Sequence, residues 1–250
     1  MTLTEAAIII ERVTKKFEDV TAVNGLSLTV DKGELFGLLG PNGAGKTTTI
    51  NMLCGLLEPT SGSVRVGGCD VRKEPNRVKK LIGVSPQETA VYPHLTGREN
   101  IELFGNLHAM PREKLKGNVD ELLQRLSLRE HAKRRAGKYS GGMMRRINLA
   151  MSLVHDPEIA FLDEPTVGMD PQSRRAVWDF IRELVKLNKT VLLTTHYMEE
   201  AEELCDRVGI IDYGKLIALG TPKQLKNQFN ARNLEEVFIQ LTGKRIREEV

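Results

Sequence analysis

Residues 40–48 read GPNGAGKTT, and the fold follows from how this stretch is read. It contains the pattern G-x-x-x-x-G-K-[ST], with Gly40, Gly45, Lys46 and Thr47 at the fixed positions. A short apolar run, Leu35, Phe36, Leu38 and Leu39, precedes it and is long enough for a buried strand. After it, Ile50, Leu53, Cys54 and Leu57 recur at helical spacing and predict a helix over 47–57. A strand, a glycine-rich turn and a helix N-terminus together make a phosphate cradle. Its members are Gly40, Pro41, Asn42, Gly43, Ala44, Gly45, Lys46, Thr47 and Thr48. Backbone N–H groups curl around an anion there, and the helix dipole adds positive potential at the same place. Lys46 is placed to reach the outer phosphates of a nucleotide, and the Thr47 hydroxyl to help hold Mg2+. A chain of this length meets the pattern by chance on the order of once in a hundred, and the flanking strand and helix lower that further. Nucleotide binding by itself leaves the function open, because loops of this kind serve unrelated activities.

Working outward, 40% of the 250 residues are hydrophobic, enough for a real core in one large domain or two small lobes. The charge is balanced at +3, from 36 basic and 33 acidic residues, so no nucleic-acid partner is expected. Basic clusters at Lys133-Arg134-Arg135, Arg145-Arg146 and Arg174-Arg175 lack interleaved aromatics and are expected to be solvated helix faces. No apolar stretch approaches the ~18 residues of a membrane span. The start, MTLTEAAIIIER, lacks the plan of a signal peptide, and a cytosolic protein is expected. Cys54, Cys69 and Cys205 show no paired spacing, so buried thiols are expected rather than a disulfide or zinc site.

Residues 6–39 read as β-structure, with Ile8, Ile9 and Ile10 in one strand. Leu26, Leu28 and Val30 alternate with Ser27 and Thr29 in another. Phe17 falls in the charged loop between them; it either tucks back into the core or offers its ring to a flat ligand, and on its own the core is favoured. Val64 and Val66 make a short strand, and residues 81–84 a buried one ending near Gln87, whose amide is ordinary loop chemistry unless something reactive lies near it. From 95 to 155 the period turns helical. Thr96 and Glu99 form a capping box ahead of Ile101, Phe104 and Leu107. Leu115, Val119, Leu122, Leu123 and Leu126 follow on one face, which suggests a helical lobe inserted into the α/β unit. Ser140-Gly141-Gly142 opens another helix, burying Ile147, Ala150, Met151 and Val154, and offers either a plain cap or a second anion site. The strand EIAFLDEP ends in Asp163 and Glu164. Beside a phosphate-binding loop, the first acid is the expected Mg2+ partner and the second could polarise water. Asp170 caps a helix that buries Val177, Ile181 and Leu184; the next strand ends at His196, and residues 207–219 form two strands about Tyr213-Gly214.

Together these stretches resemble the nucleotide-binding subunit of ATP-binding cassette (ABC) transporters over nearly the whole chain, in the family's motif order. GPNGAGKTT resembles its Walker A loop, Gln87 in GVSPQ its Q-loop, YSGGM its signature motif, IAFLDEP its Walker B strand, VGMD its D-loop and His196 its switch histidine. The resemblance implies an α/β fold: a P-loop NTPase (RecA-like) core with an antiparallel β subdomain and an inserted all-helical lobe. The implied divisions are a core over 1–94 and 156–222, a helical lobe over 95–155 and a C-terminal helical extension over 223–250. It also implies ATP and Mg2+, with Thr47, Gln87 and Asp163 around the metal. Glu164 is the implied general base, with His196, Gln87 and Lys46 beside it, and Asp170 and Ser140, Gly141 and Gly142 are implied nucleotide contacts. Phe17 stands where a tyrosine usually stacks on adenine. Tyr139 and Met143 replace the usual leucine and glutamine around SGG, while the donors that would touch phosphate are kept.

PQETAVYPHLTGRENIELFG and NLEEVFIQLTGKRIRE are similar to the branch that exports drugs, lipids, polysaccharides or sodium. The apolar stripe Leu234, Val237, Phe238 and Leu241 either packs on its own domain, the favoured reading, or serves a partner. The implied partners are a membrane permease carried on another polypeptide and a second copy of the chain, paired head to tail around two ATP molecules. The implied location is cytoplasmic, peripheral on the inner face of the cell membrane. The alternative is a soluble ABC-type ATPase of DNA repair or translation, disfavoured by the lack of a long heptad insertion or a second cassette.

Overall fold

The structure is a computed structural model that describes residues 5–243. The first residues of the start read above, and residues 244–250 of the expected C-terminal extension, lie outside the described residues. The chain begins with strands β1 (Ala6–Phe17) and β2 (Val20–Asp31), then β3 (Leu35–Leu39) and helix α1 (Lys46–Leu53). Strands β4 (Ser61–Val66) and β5 (Cys69–Asp70), helix α2 (Pro75–Leu81) and strand β6 (Ile82–Ser85) follow. Helices α3 (Gly97–Leu107), α4 (Arg112–Arg125) and α5 (Gly141–Leu153) form the helical stretch. The chain then runs through β7 (Ile159–Asp163), α6 (Pro171–Lys186), β8 (Thr190–Thr195), α7 (Met198–Leu204), β9 (Arg207–Asp212), β10 (Lys215–Gly220), α8 (Pro222–Gln228) and α9 (Leu234–Thr242).

Two sheets result. One is four-stranded and antiparallel in the order β2-β1-β4-β5; the other is six-stranded in the order β10-β9-β3-β8-β7-β6, parallel except for the β9–β10 hairpin. The central strands β3, β7 and β8 of the large sheet are buried on both faces and alternate between two cores, as the period of two demands. Phe36 and Leu38 face a core shared with α1 and the antiparallel sheet, whereas Leu35 and Leu39 face the helices on the other side. Phe161 and Leu192 repeat the first orientation, and Leu162, Val191 and Leu193 the second. Helix α1 therefore lies between two sheets, and its Ile50, Met52 and Leu53 fill that space.

The expected capping box at Thr96 and Glu99 is present, and Leu115, Val119, Leu122, Leu123 and Leu126 are buried as the spacing requires. Their apolar cluster runs without a break into α6 and the large sheet. The stripe of Leu234, Val237 and Phe238 packs into the same cluster, so the helix covers its own chain. Cys54, Cys69 and Cys205 are buried free thiols.

Several expectations need correction. Phe17 ends β1 rather than sitting in a loop, pairs with Val20, and is 44% exposed, so it is no core residue. Burial in β1 stops at Val13, beyond which bulges turn the strand outward. Leu107 is exposed because α3 ends there. Helix α1 stops at Leu53 because Gly55, at φ 70, turns the chain away. Helix α2 gave no periodic signal, since Val78 is its one buried residue.

Candidate nucleotide site

The parallel strands β3, β8, β7 and β6 are neighbours, and each ends beside a residue singled out above. Strand β3 runs into the glycine-rich loop, β8 ends before His196, β7 ends in Asp163, and β6 ends two residues before Gln87. Register keeps those ends level, with Leu39 opposite Thr195 and Asp163 opposite Thr194. Ligands of open α/β sheets bind beyond the carboxyl ends of such strands.

The loop needs its glycines for its shape. Gly45 caps α1 in the left-handed region at φ 102, where a Cβ would stand 2.4 Å from the Ala22 carbonyl oxygen. The β9–β10 turn braces the loop from outside, since the Gly214 N–H donates to the Ala44 carbonyl at 3.0 Å. Lys46 is 5% exposed; its Nζ donates to the Gly40 carbonyl at 2.8 Å and to that of Pro41 at 3.3 Å.

From the loop, hydrogen bonds and ion pairs lead inward. Thr47 Oγ1 donates to Asp163 Oδ2 at 2.8 Å, and the Thr194 hydroxyl donates to Asp163 Oδ1. Lys46 Nζ lies 3.2 Å from Glu164 Oε1, and His196 Nδ1 lies 3.2 Å from the same oxygen. The His196 approach is a close contact without hydrogen-bond geometry. Gln87 Nε2 donates to Glu164 Oε2 at 3.4 Å. Glu164 is 5% exposed and held at φ 48, a strained backbone for a residue with a side chain. Burial opposes its ionisation, but His196 and Lys46 more than offset this, so its carboxyl is held below the usual value. The arrangement is thus an ionised carboxylate beside a phosphate cradle, with a lysine, a histidine and an amide around it. Thr47 and Asp163 present adjoining hard oxygens, a donor set that suits Mg2+ completed by phosphate and water.

The other expected residues form a separate patch. Ser140 caps α5 by accepting from the Met143 N–H at 3.3 Å. Asp170 caps α6 by accepting from the N–H groups of Gln172 and Ser173; the Ser173 side chain first, and then these N–H groups, hold its carboxyl below the usual value. The two helix ends adjoin, because a Cβ on Gly142 would lie 3.4 Å from Ser173 Oγ. Among the described residues no hydrogen bond or ion pair links Ser140, Gly141, Gly142 or Asp170 to the glycine-rich loop. Phe17 also stands apart, with Lys15 Nζ 4.9 Å above its ring.

Arg145 overturns its expected place on a solvated helix face. It is buried, and its guanidinium donates to the carbonyls of Pro86, Gln87, Asp163, Glu164 and Pro165. Burial draws its pKa below the usual value, while the charges of Asp163, Glu164 and Glu200 act the other way. One side chain of the SGG helix thereby ties both acidic residues to the Gln87 loop. The signal in the sequence was its position four residues beyond Gly141.

A family model described as ABC transporter matches residues 23–167. The linearmycin resistance ATP-binding protein LnrL of Bacillus subtilis is 45% identical, over 95% of this chain and 75% of its own. Nod factor export ATP-binding protein I of Burkholderia lata is 46% identical, over 88% of this chain and 72% of its own. A solved dimeric ATP-binding cassette in a post-hydrolysis state, bound to ADP and Pi, is similar with a TM-score of 0.78 and 26% identity, covering 86% of this chain and 98% of that one.

Proposed function

We infer, for a chain that belongs to the ABC transporter family as an ATP-binding and ATP-hydrolysing subunit powering membrane transport, that it drives an exporter by pairing with a second copy around ATP. The observation that carries this is the convergence of Lys46, His196 and Gln87 on Glu164 beside the phosphate loop. The loop N–H groups hold the phosphates, and Lys46 leaves the Gly40 carbonyl to neutralise the outermost one. Glu164 takes a proton from the attacking water, whose oxygen bonds to the γ-phosphorus as the bond to ADP breaks. His196 and Gln87 keep that carboxylate aimed. Thr47 and Asp163 would hold Mg2+, which neutralises phosphate charge. Ser140, Gly141, Gly142 and Asp170 would serve the ATP of the other copy, and Phe17 would stack on the adenine.

Further readings extend the same proposal. Residues 1–94 and 156–222 act as the nucleotide core, 95–155 as the moving helical lobe, and 223–250 as an extension. The transport path is assigned to a membrane permease partner, and no helix among the described residues is long and apolar enough to cross a membrane. The chain would then sit on the cytoplasmic face of the membrane. Export is favoured because relatives carry names of drug resistance and Nod factor export. The DNA-repair and translation alternative is set aside on the same ground.

The test uses Glu164→Gln, tagged, with membranes solubilised gently in ATP and Mg2+. A polytopic membrane protein should co-purify in equal amount, and turnover should fall about a thousandfold with ATP binding retained. Ribosomes or nucleic acid as the only partners, or turnover near the wild-type rate, would overturn the reading.

A further inference from the structure

A buried carboxylate outside the ATP-contacting set calls for a role. Glu200, in α7, is 1% exposed. Its Oε1 accepts from Thr166 Oγ1 at 2.6 Å and from Trp178 Nε1 at 2.9 Å. Its Oε2 is buried with no hydrogen-bond partner among the described residues. A desolvated carboxylate is expensive unless paired, and here the compensating charge is that of Arg145 acting at a distance. A glutamine or an apolar side chain would fill this place more cheaply if packing were its whole task. What the carboxylate supplies is a charge-assisted acceptor for two donors on two other segments.

The bond from Thr166 joins two segments that each adjoin a site residue. Thr166 lies two residues after Glu164 and four before Asp170, in a compact turn closed by the Val167 and Met169 N–H groups on the Glu164 and Thr166 carbonyls. Glu200 lies on the helix that follows His196, four residues on. A second tie runs in parallel: the Arg174 guanidinium stands 4.9 Å over the Tyr197 ring, which itself lies 4.2 Å from the His196 ring. Arg174 is in the first turn of α6, where its N–H donates to the Asp170 carbonyl.

We propose that Glu200 is a positioning residue for hydrolysis: it locks the turn leading to Asp170 onto the helix that directly follows His196, so that the two shift as one body. A copy that loses its hold on its partner's nucleotide at Asp170 would thereby displace its own His196 from Glu164. This rests on the reading of Glu164 and Asp170 given above.

The test is Thr166→Val, which keeps the shape and removes one donor, with Thr166→Ser as the rescue. Steady-state hydrolysis by the full chain gives kcat and KM for ATP, and thermal unfolding gives stability. Thr166→Val should lower kcat about tenfold with KM within about twofold, and Thr166→Ser should restore it. Glu200→Gln keeps the accepting oxygen but not its charge, and should lower kcat by about threefold, since neutral bonds are roughly half as strong. Wild-type kcat in Thr166→Val, or a loss that Thr166→Ser does not restore, would overturn the proposal. Glu164→Gln is run alongside: if it still turns over, the reading of the site fails, whereas if it alone is inactive, only the role of Glu200 does.

Discussion

The two patches of this chain that the proposed function assigns to phosphate are built in opposite ways. Around the glycine-rich loop, Lys46, Asp163 and Glu164 are buried, and each already has a partner there: Lys46 pairs with Glu164, and Asp163 accepts from Thr47. Around SGG, Ser140, Gly141 and Asp170 are exposed, and their polar atoms hold only their own helix ends. The glycines show the same division. A Cβ at Gly40 would stand 2.4 Å from the Ile211 carbonyl oxygen, whereas a Cβ at Gly141 would meet nothing within 4 Å. The first half is shaped from within. Nothing inside the second half requires a bare backbone at Gly141, and under the proposed function that surface is left open for the nucleotide of a second copy.

Arg145 is where the halves join, and it carries the largest expected effect. It starts in the SGG helix and ends among carbonyls of both acidic residues and the Gln87 loop. Arg145→Met should leave those carbonyls short of donors and the buried acids short of a compensating charge. A loss of about 3–5 kcal/mol is expected in urea unfolding, the range for removing one partner of a buried charged network. A loss under about 1 kcal/mol would mean the halves are joined by packing alone.

A matched pair of substitutions tests the comparison itself. Gly45→Ala forces a side chain into the left-handed region and against the Ala22 carbonyl. It should cost about 1–3 kcal/mol of stability, and ATP binding should weaken. Gly141→Ala should leave stability unchanged or raise it by about 0.4–1 kcal/mol through the unfolded chain. It should still lower turnover about a hundredfold, because the added methyl holds the phosphate away from the Gly141 N–H, and losing one such donor contact costs about that much. Stability from unfolding and turnover from phosphate release separate the two. If Gly141→Ala hydrolyses ATP normally, the exposed half serves no nucleotide.

The same contrast explains what could be read from sequence. The buried half was legible because each residue sits at the end of an apolar strand, and strand ends are marked by a change of composition that needs no knowledge of distant contacts. Asp163, Glu164 and His196 were placed in this way. Arg145 was not, because α5 buries Arg145, Asn148 and Ser152 along with its apolar stripe, so no period separates its wet side from its dry side. Glu200 was hidden for a different reason. It lies in MEEAEEL beside other glutamates, and only the packing of α6 tells them apart. Phe17 misled because its strand turns outward at a bulge that alternation alone does not reveal.

The smallest expected effect lies at the seam between the helical stretch and the large sheet, on a stacked pair of histidines. The rings of His108 and His155 are parallel, with centroids 3.7 Å apart, and His155 Nε2 contacts the Ile82 carbonyl at 3.0 Å. Asp156 and Lys189 also face His155, and they pair with each other at 2.7 Å. Burial first, then the neighbouring His108, pulls the His155 pKa down to about 4 from 6.5. Between those pH values the unfolded chain binds a proton that the folded chain refuses. The stability tied to neutral His155 is therefore fully present above about pH 6.5 and is lost as the pH falls towards 4. Discounted for the partial exposure of the ring, that amounts to about 1–2 kcal/mol. Urea midpoints for wild type and His155→Gln should agree in slope above pH 7 and diverge below 6.5, the variant losing less on acidification. Carboxylates titrate at the bottom of the same range, so the difference between the two proteins is what isolates the histidine. Parallel curves throughout would mean that the seam accepts the proton without opening, and that the helices bearing SGG are held to the sheet by Arg145 and the apolar cluster rather than by this pair.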